Sequence, residues 1–97
     1  MDGALITEIS KTVEAVKAEG ATGLFVYGSH ARGDHRLDSD LDVFVDYQPG
    51  SGFSLLDLAG IQNILTKSTG LQISITTCNS LHPMLREQIE QEAVRIF

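Results

Sequence analysis

Two aspartates near the middle of the chain are the residues best suited to chemistry. Asp40 and Asp42 are separated by one residue in an alternating segment, so on a strand both carboxylates face the same side. Two like charges held this close together are unfavourable unless a cation lies between them. Mg²⁺ is commonly held in proteins by one or two carboxylates together with substrate phosphates. The pair therefore predicts a metal site, and the alternative is an ordinary solvated strand face.

A glycine-serine turn lies upstream of the aspartate pair. Gly28 and Ser29 follow the short apolar segment "GLFVY", which has the composition of a buried strand. Backbone N–H groups in such a turn, with the Ser29 hydroxyl, can bind phosphate oxygens, particularly where a helix begins. Arg32 can donate to the same phosphates, and Gly33 lets the chain leave the turn. Together with two metal-binding carboxylates, these residues predict metal-assisted attack at a phosphorus.

Hydrophobic periodicity predicts the elements that must hold these residues. The predicted order is helix, strand, strand, helix, strand, helix, with a short helix that can open after Gly28. The helices are expected over residues 4–19, over residues 55–69 and from Pro83 to the C-terminus, and the strands over 23–27, from Asp40 onwards and over 71–77. This pattern predicts an α/β (α+β) fold in which helices pack on one side of a short sheet.

The second predicted strand has one carboxylate-bearing face. Alternation places one set of side chains on the core side, namely Leu41, Val43 and Val45. It places the other set on a polar face that we expect to be partly open, namely Asp40, Asp42, Phe44 and Asp46. We therefore expect the metal site on the face of the sheet that is directed away from the core.

Composition narrows the class of protein. With 97 residues, 42% hydrophobic and 21% charged, the chain is expected to form a single domain spanning residues 1–97. No apolar run approaches the roughly 20 residues that span a bilayer, and we expect no membrane partner. The N-terminus lacks a secretory pattern and Cys78 is the only cysteine, so a cytoplasmic location is expected. The net charge of −6 argues against direct nucleic-acid binding, whereas a triphosphate can be bound through metal ions.

These motifs resemble those of a known family. The chain carries Gly28-Ser29, ten intervening residues and Asp40-x-Asp42, with Arg32-Gly33 and Ser39 between them. This pattern resembles the G-S-x10-D-x-D signature of the polymerase-β-like nucleotidyltransferases, and most closely that of the minimal (MNT-type) members. The similarity extends over almost the whole chain, including the C-terminal segment "LHPMLREQIEQEAVRIF". The pattern differs from a Walker A loop, because the Gly-Lys-Ser/Thr ending is absent.

The resemblance carries functional implications. It implies ATP as the nucleotide, two Mg²⁺ ions and transfer of AMP to an acceptor hydroxyl. Minimal members are commonly encoded beside an all-helical HEPN protein, a toxin that the nucleotidyltransferase neutralises as an antitoxin by adenylylating a tyrosine. By the same resemblance, Gly28, Ser29, Arg32 and Gly33 are expected to bind the nucleotide, and the aspartate pair the metal ions. A hetero-oligomer with a HEPN toxin is therefore expected.

One position departs from the family pattern. Members generally use a third carboxylate from the strand after the middle helix, and in this chain the corresponding position is Ser74. If the missing group also acts as a base, its loss lowers the rate by about 10²- to 10⁴-fold. An active enzyme and a non-enzymatic antitoxin that binds the toxin therefore both remain open. Transfer to a small molecule is a third hypothesis, which a chain this short makes weaker.

Overall fold

A four-stranded mixed sheet carries both predicted motifs. The computed structural model describes residues 1–97. The helices are α1 (Gly3–Ser10), α2 (Val13–Ala18), α3 (Ser29–Arg32), α4 (Leu55–Thr69) and α5 (Pro83–Glu92). The strands are β1 (Ala21–Tyr27), β2 (Leu41–Tyr47), β3 (Ile73–Thr77) and β4 (Val94–Arg95), and a 3-10 turn covers Cys78–Ser80. No helix has the length and apolar character needed to cross a membrane.

The strand order is β3-β2-β1-β4, so the strand that carries Asp42 lies inside the sheet. Strand β1 pairs antiparallel with β2 and with β4, whereas β2 and β3 are parallel. Parallel neighbours need a long crossover connection, and here α4 provides it. As a result, the amino ends of β2 and β3 lie at the same edge of the sheet, beside the turn that follows β1.

The core lies between the sheet and the helices that precede β1 and β3. The alternation predicted for β2 is confirmed, because Leu41, Val43 and Val45 are completely buried. They share one hydrophobic cluster with residues of β1, α1, α2, α4 and β3, namely Leu24, Val26, Ile9, Val16, Ile61, Leu65 and Ile73. Burial of these apolar side chains is the main stabilising contribution to the fold.

The opposite face of the sheet is partly covered. Phe44 was expected on the open face, but only 2% of it is exposed, and its ring stacks on Phe25 at a centroid distance of 4.7 Å. Helix α5 runs near this face. Its Arg86 lines a cavity together with Asp46 at one end, and its Glu92 contacts α3 at the other. The aspartate pair lies beyond the aromatic cluster, where Asp40 is exposed and Asp42 half-buried.

The predicted helix over residues 4–19 is wrong in one respect, because the structure divides it into α1 and α2. The break is at Lys11 and Thr12. The backbone N–H of Thr12 donates to the carbonyl of Ile9 at 2.9 Å, and its buried hydroxyl donates to the same oxygen at 2.6 Å. A threonine side chain that bonds a preceding carbonyl competes with regular helical bonding, which accounts for the interruption.

The predicted continuation of the last helix to the C-terminus is also wrong. Helix α5 ends at Glu92, and Val94–Arg95 forms the edge strand β4. The N–H of Ile96 donates to the carbonyl of Leu24 at 2.8 Å, and the N–H of Leu24 donates to the carbonyl of Phe97 at 3.2 Å. The free edge of β1 therefore supplies hydrogen bonds that override the helical spacing of this segment.

Candidate active site

Asp42 lies at the centre of the candidate site. In the sheet it pairs with Tyr27 of β1 on one side and with Ser74 of β3 on the other. Asp40 directly precedes β2, so both carboxylates are close to the amino end of this strand. Ser74, the residue that the sequence places at the third carboxylate position, thus lies on the strand next to Asp42. A carboxylate there would extend the acidic pair across two strands.

The turn after β1 is in direct contact with Asp42. Gly28 adopts φ +73° and ψ −151°, a backbone conformation that is essentially restricted to glycine. A Cβ atom at Gly28 would overlap the Asp42 carboxylate. Glycine is required here both for its backbone angles and for the close approach of the carboxylate. The glycine-serine turn and the aspartate pair therefore form one continuous site.

Ser29 begins α3, which is a single helical turn. The helix ends at Gly33, whose φ is +83° and whose N–H donates to the carbonyl of Ser29 at 2.9 Å. A helix this short has almost no macrodipole, but the N–H groups of its first turn still lack intrahelical partners. Any phosphate bound here depends on these N–H groups and on the Ser29 hydroxyl, which contribute without help from a long helix.

Arg32 is held by two carboxylates in the free chain. Its Nε atom is 3.1 Å from Asp34 and its Nη1 atom is 3.2 Å from Glu92 at the end of α5. The side chain is about half exposed, so these contacts are weak and can exchange. Arg32 also lies near enough to Asp42 to lower the pKa of that carboxyl. It is therefore close to the site, and the guanidinium N–H groups that these two contacts do not use remain available to a phosphate.

The charges around Asp42 favour a cation. Burial and, to a smaller extent, the neighbouring Asp40 carboxylate raise the pKa of Asp42 above its ordinary value. His30 and Arg32 oppose this shift and lower the pKa of the same group. A carboxylate whose charged form is disfavoured by burial and by a second acid gains most from a bound cation. Two carboxylates and the Ser74 hydroxyl are hard oxygen donors of the kind that suits Mg²⁺.

No third acid completes the pair. The structure contains no group of three His, Cys, Asp or Glu side chains placed to hold a metal ion. Asp46 is at the far end of β2, where it raises the pKa of Cys78, although burial is the larger cause of that shift. Asp57 accepts a hydrogen bond from the N–H of Ser54 at 2.9 Å and so caps the start of α4. Neither Asp46 nor Asp57 therefore replaces the third carboxylate, whose position is occupied by Ser74.

One residue near the site was not anticipated. The sequence predicts surface or capping roles for His30, His35 and His82, and this is wrong for His30, which is 4% exposed. His82 does cap α5, since its Nδ1 atom accepts from the N–H of Met84 at 3.2 Å. His30 is buried because α3 turns it inward beneath the ring of His35. A single helical turn is too short to show a periodic apolar face, so the sequence carries no signal for this burial.

Comparison with known proteins identifies the family. Residues 9–96 match the model of the nucleotidyltransferase domain. The chain belongs to this nucleotidyltransferase family. A proposed protein adenylyltransferase of Methanocaldococcus jannaschii is 35% identical over 93 residues, which cover 95% of this chain and 98% of that protein. The protein adenylyltransferase MntA of Thermococcus cleftensis is 28% identical, over 94% of this nucleotidyltransferase and 95% of the relative.

Solved structures agree with this assignment. A proposed minimal nucleotidyltransferase superposes with a TM-score of 0.74 at 37% identity, covering 97% of this chain and 95% of the other. The expected minimal type and its mixed α/β fold are thereby confirmed. A toxin-antitoxin structure with AMP-PNP has a TM-score of 0.69 at 12% identity, covering 91% of this chain and 72% of the other. At that identity the likeness concerns the fold alone.

Proposed function

We propose that this nucleotidyltransferase transfers AMP from ATP to a tyrosine hydroxyl of a HEPN toxin, with Mg²⁺ as the metal, and so acts as an antitoxin. The observation that carries the proposal is the placement of Asp42, which contacts the Gly28 turn and lies beside Asp40 and Ser74. This geometry supports the proposal, because it brings the Gly28–Ser29 turn and two carboxylates together in one small site.

The proposed reaction is a displacement at the α-phosphorus. A bond forms between the tyrosine oxygen and the α-phosphorus, the bond to the bridging oxygen of the β-phosphate breaks, and pyrophosphate leaves. The hydroxyl proton passes to solvent. Two Mg²⁺ ions, when bound, would neutralise charge on the phosphates and favour the ionised form of the attacking hydroxyl.

Named residues of the chain have separate parts in this reaction. Gly28 and Ser29 bind the phosphates of the triphosphate, and Arg32 donates to the same group. Asp40 and Asp42 hold the metal ions. In this proposal the acceptor hydroxyl comes from another chain, the toxin.

The names of similar proteins support the antitoxin part of the proposal. Relatives from two archaea are named protein adenylyltransferases, one of them with the name MntA. Two structures with a related fold are described as toxin-antitoxin assemblies, one of them containing AMP-PNP. A toxin partner, ATP as the substrate and a hetero-oligomeric complex follow as parts of our proposal. We also assign the protein to the cytoplasm, in keeping with its single free Cys78.

A second candidate function is an antitoxin that binds its toxin without modifying it. Ser74 favours this alternative, because a neutral hydroxyl replaces the third carboxylate beside Asp42. The fold and the triphosphate turn do not depend on that carboxylate. Nucleotide binding can therefore persist while transfer is slowed by about 10²- to 10⁴-fold.

Label transfer tests both functions. The chain is incubated with α-³²P-labelled ATP, Mg²⁺ and a purified HEPN toxin from the same genome, and the label on that protein is followed. We expect transfer of the label by the unmodified chain, faster transfer by Ser74→Asp, and loss of transfer in Asp40→Ala and Asp42→Ala. Ser80→Asp is the matched control, because Ser80 lies in the 3-10 turn that follows β3, at the end of this strand that is away from the aspartate pair.

The possible outcomes separate the two functions. Transfer by Ser74→Asp alone would contradict an active natural enzyme and would support the binding-only antitoxin. Unchanged affinity for ATP and Mg²⁺ in both aspartate variants would contradict the metal assignment itself. Protection from the toxin in living cells by the Asp42→Ala variant would also support inhibition by binding.

A further inference from the structure

His30 connects the two halves of the candidate active site. It directly follows Ser29, and its Nε2 atom is 3.2 Å from the carbonyl oxygen of Ser39, the residue before Asp40. Because a carbonyl can only accept, Nε2 must carry the proton and donate it. One buried ring thus joins the phosphate-binding turn to the residue that precedes the first predicted metal ligand.

The loop before Asp40 has few other attachments to the rest of the molecule. The N–H of Arg36 donates to the Ser39 hydroxyl at 2.8 Å, and the N–H of Ser39 donates to the Arg36 carbonyl at 3.1 Å. Both bonds close a local turn and connect it to nothing else. The ring of His35 stacks on that of His30 at a centroid distance of 4.1 Å. The start of the loop is attached to α3, because Asp34 bonds the Ser29 carbonyl and the Arg32 side chain. The imidazole of His30 is therefore the principal attachment of the part of the loop next to Asp40.

The rest of the His30 side chain has no competing role. Its Nδ1 atom is buried and has no hydrogen-bond partner, so the bond to Ser39 is the only one that the ring makes within the chain. A cavity of about 210 Å³ adjoins the two stacked histidines and is lined in part by Leu5, Arg36 and Leu71. With Nε2 protonated, Nδ1 is an acceptor that no donor of the chain reaches, so it does not compete with Ser39 for the orientation of the ring.

We propose that His30 is a positioning residue, which holds the Ser39 carbonyl so that Asp40 stays aligned with Asp42 and with the Gly28 turn. Strand pairing begins immediately after Asp40, where the N–H of Leu41 donates to the carbonyl of Gln72 at 2.9 Å. Asp40 is thereby restrained from both sides. The value of this alignment for catalysis rests on the proposed function, whereas the restraint on the loop does not.

A matched pair of variants isolates the hydrogen bond. His30→Gln places an amide N–H near the position of Nε2 and can still donate to Ser39, whereas His30→Met has similar length and no donor. His35→Leu is the control for the stacked ring. The amide exchange rates of Ser39 and Leu41 are measured by NMR, with amides of α4 as the reference. The affinity for ATP with Mn²⁺ is measured alongside, since Mn²⁺ reports on the carboxylate pair.

In His30→Met we expect the amide hydrogens of Ser39 and Leu41 to exchange about 3- to 10-fold faster than in the unmodified chain. We also expect this variant to bind ATP with Mn²⁺ about 3- to 10-fold more weakly. Both ranges correspond to the loss of one net hydrogen bond. His30→Gln should restore both values, and α4 should be unaffected in either variant. Equal exchange in the Gln and Met variants, or faster exchange throughout α4, would overturn the proposal. Absence of ATP binding by the unmodified chain would contradict the proposed function, while the exchange rates alone would still decide the role of His30.

Discussion

The ionised form of Asp42 lowers the stability of the folded chain. Its pKa is raised by burial and by Asp40, so the folded chain binds this proton more tightly than the unfolded chain does. The stabilising contribution of the proton is fully present below the unfolded pKa of about 4 and is lost as the pH rises through the higher folded value. At neutral pH without metal, the ionised Asp42 carboxylate therefore destabilises the fold.

Removing that charge should stabilise the chain. At pH 7 in EDTA, Asp42→Asn should unfold at a higher temperature than the unmodified protein, and the difference should vanish below about pH 4. Asp38→Asn makes the same change in net charge at an exposed loop position and is the control. Thermal denaturation followed by circular dichroism measures both variants. A lower melting temperature for Asp42→Asn at pH 7 would show that Asp42 is stabilised by its neighbours.

Gly28 should be much less tolerant of substitution than Gly33. Gly28→Ala forces a Cβ against the Asp42 carboxylate and requires backbone angles that other residues avoid, so we expect a loss of at least about 2 kcal/mol. Gly33→Ala also has a positive φ, but its Cβ would meet no atom within 4 Å, so a loss of about 1 kcal/mol is expected. Urea denaturation gives both free energies of unfolding. Equal losses would show that Asp42 moves away at no cost.

At the scale of elements, local periodicity predicted most of the site. Strands β2 and β3 and helix α4 were predicted because their apolar faces follow the period of 2 or 3.6 residues, and β1 was predicted from the apolar composition of "GLFVY". The alternation of β2 placed Asp42 on the correct face. The position of Ser74 came from the family resemblance, and the parallel pairing of β2 with β3 then explains why it matters.

The elements that escaped prediction depend on contacts distant in sequence. The spacing of Ile89, Ala93 and Ile96 is compatible with a helix, and only the free edge of β1 selects a strand for residues 94–95. The burial of His30 escaped prediction for a similar reason, because its partner Ser39 belongs to a loop without periodicity. Pairing across a sheet edge and packing of a loop leave no regular pattern in the chain.

The C-terminal edge strand should contribute measurably to stability. Ile96→Pro removes the N–H that donates to the carbonyl of the fully buried Leu24. We expect its free energy of unfolding to fall about 1–3 kcal/mol below that of Ile96→Ala, which keeps the N–H but truncates the side chain. Urea denaturation compares the two. If Pro and Ala were equivalent, the pairing of this segment with β1 would be dispensable.

At the scale of the whole molecule, the acidic balance makes nucleotide binding dependent on cations. A net charge of −6 repels a triphosphate, and the aspartate pair adds to that repulsion at the site. A single uncompensated contact between like charges at about 4 Å costs about 4 kcal/mol near a protein surface. The chain should therefore bind ATP more tightly with a divalent ion than without one.

Removing the divalent ion should weaken ATP binding by at least about tenfold, which corresponds to about 1.4 kcal/mol. Isothermal titration calorimetry with Mg²⁺ and with EDTA measures this difference at constant ionic strength. In the Asp40→Asn, Asp42→Asn double variant the dependence on Mg²⁺ should be reduced, because the repulsive charges are gone. An affinity that does not change with EDTA would contradict the role assigned to the pair.

The contact between Arg32 and Glu92 joins the candidate nucleotide site to the end of α5, immediately before β4. If Arg32 turns from Glu92 to a bound phosphate, the link between α3 and the C-terminal segment is released. A protein that binds Glu92 would then free Arg32 and tighten the binding of ATP. By thermodynamic reciprocity, ATP would tighten the binding of that protein by the same factor. The binding of the nucleotide and the binding of the partner protein would then be thermodynamically coupled.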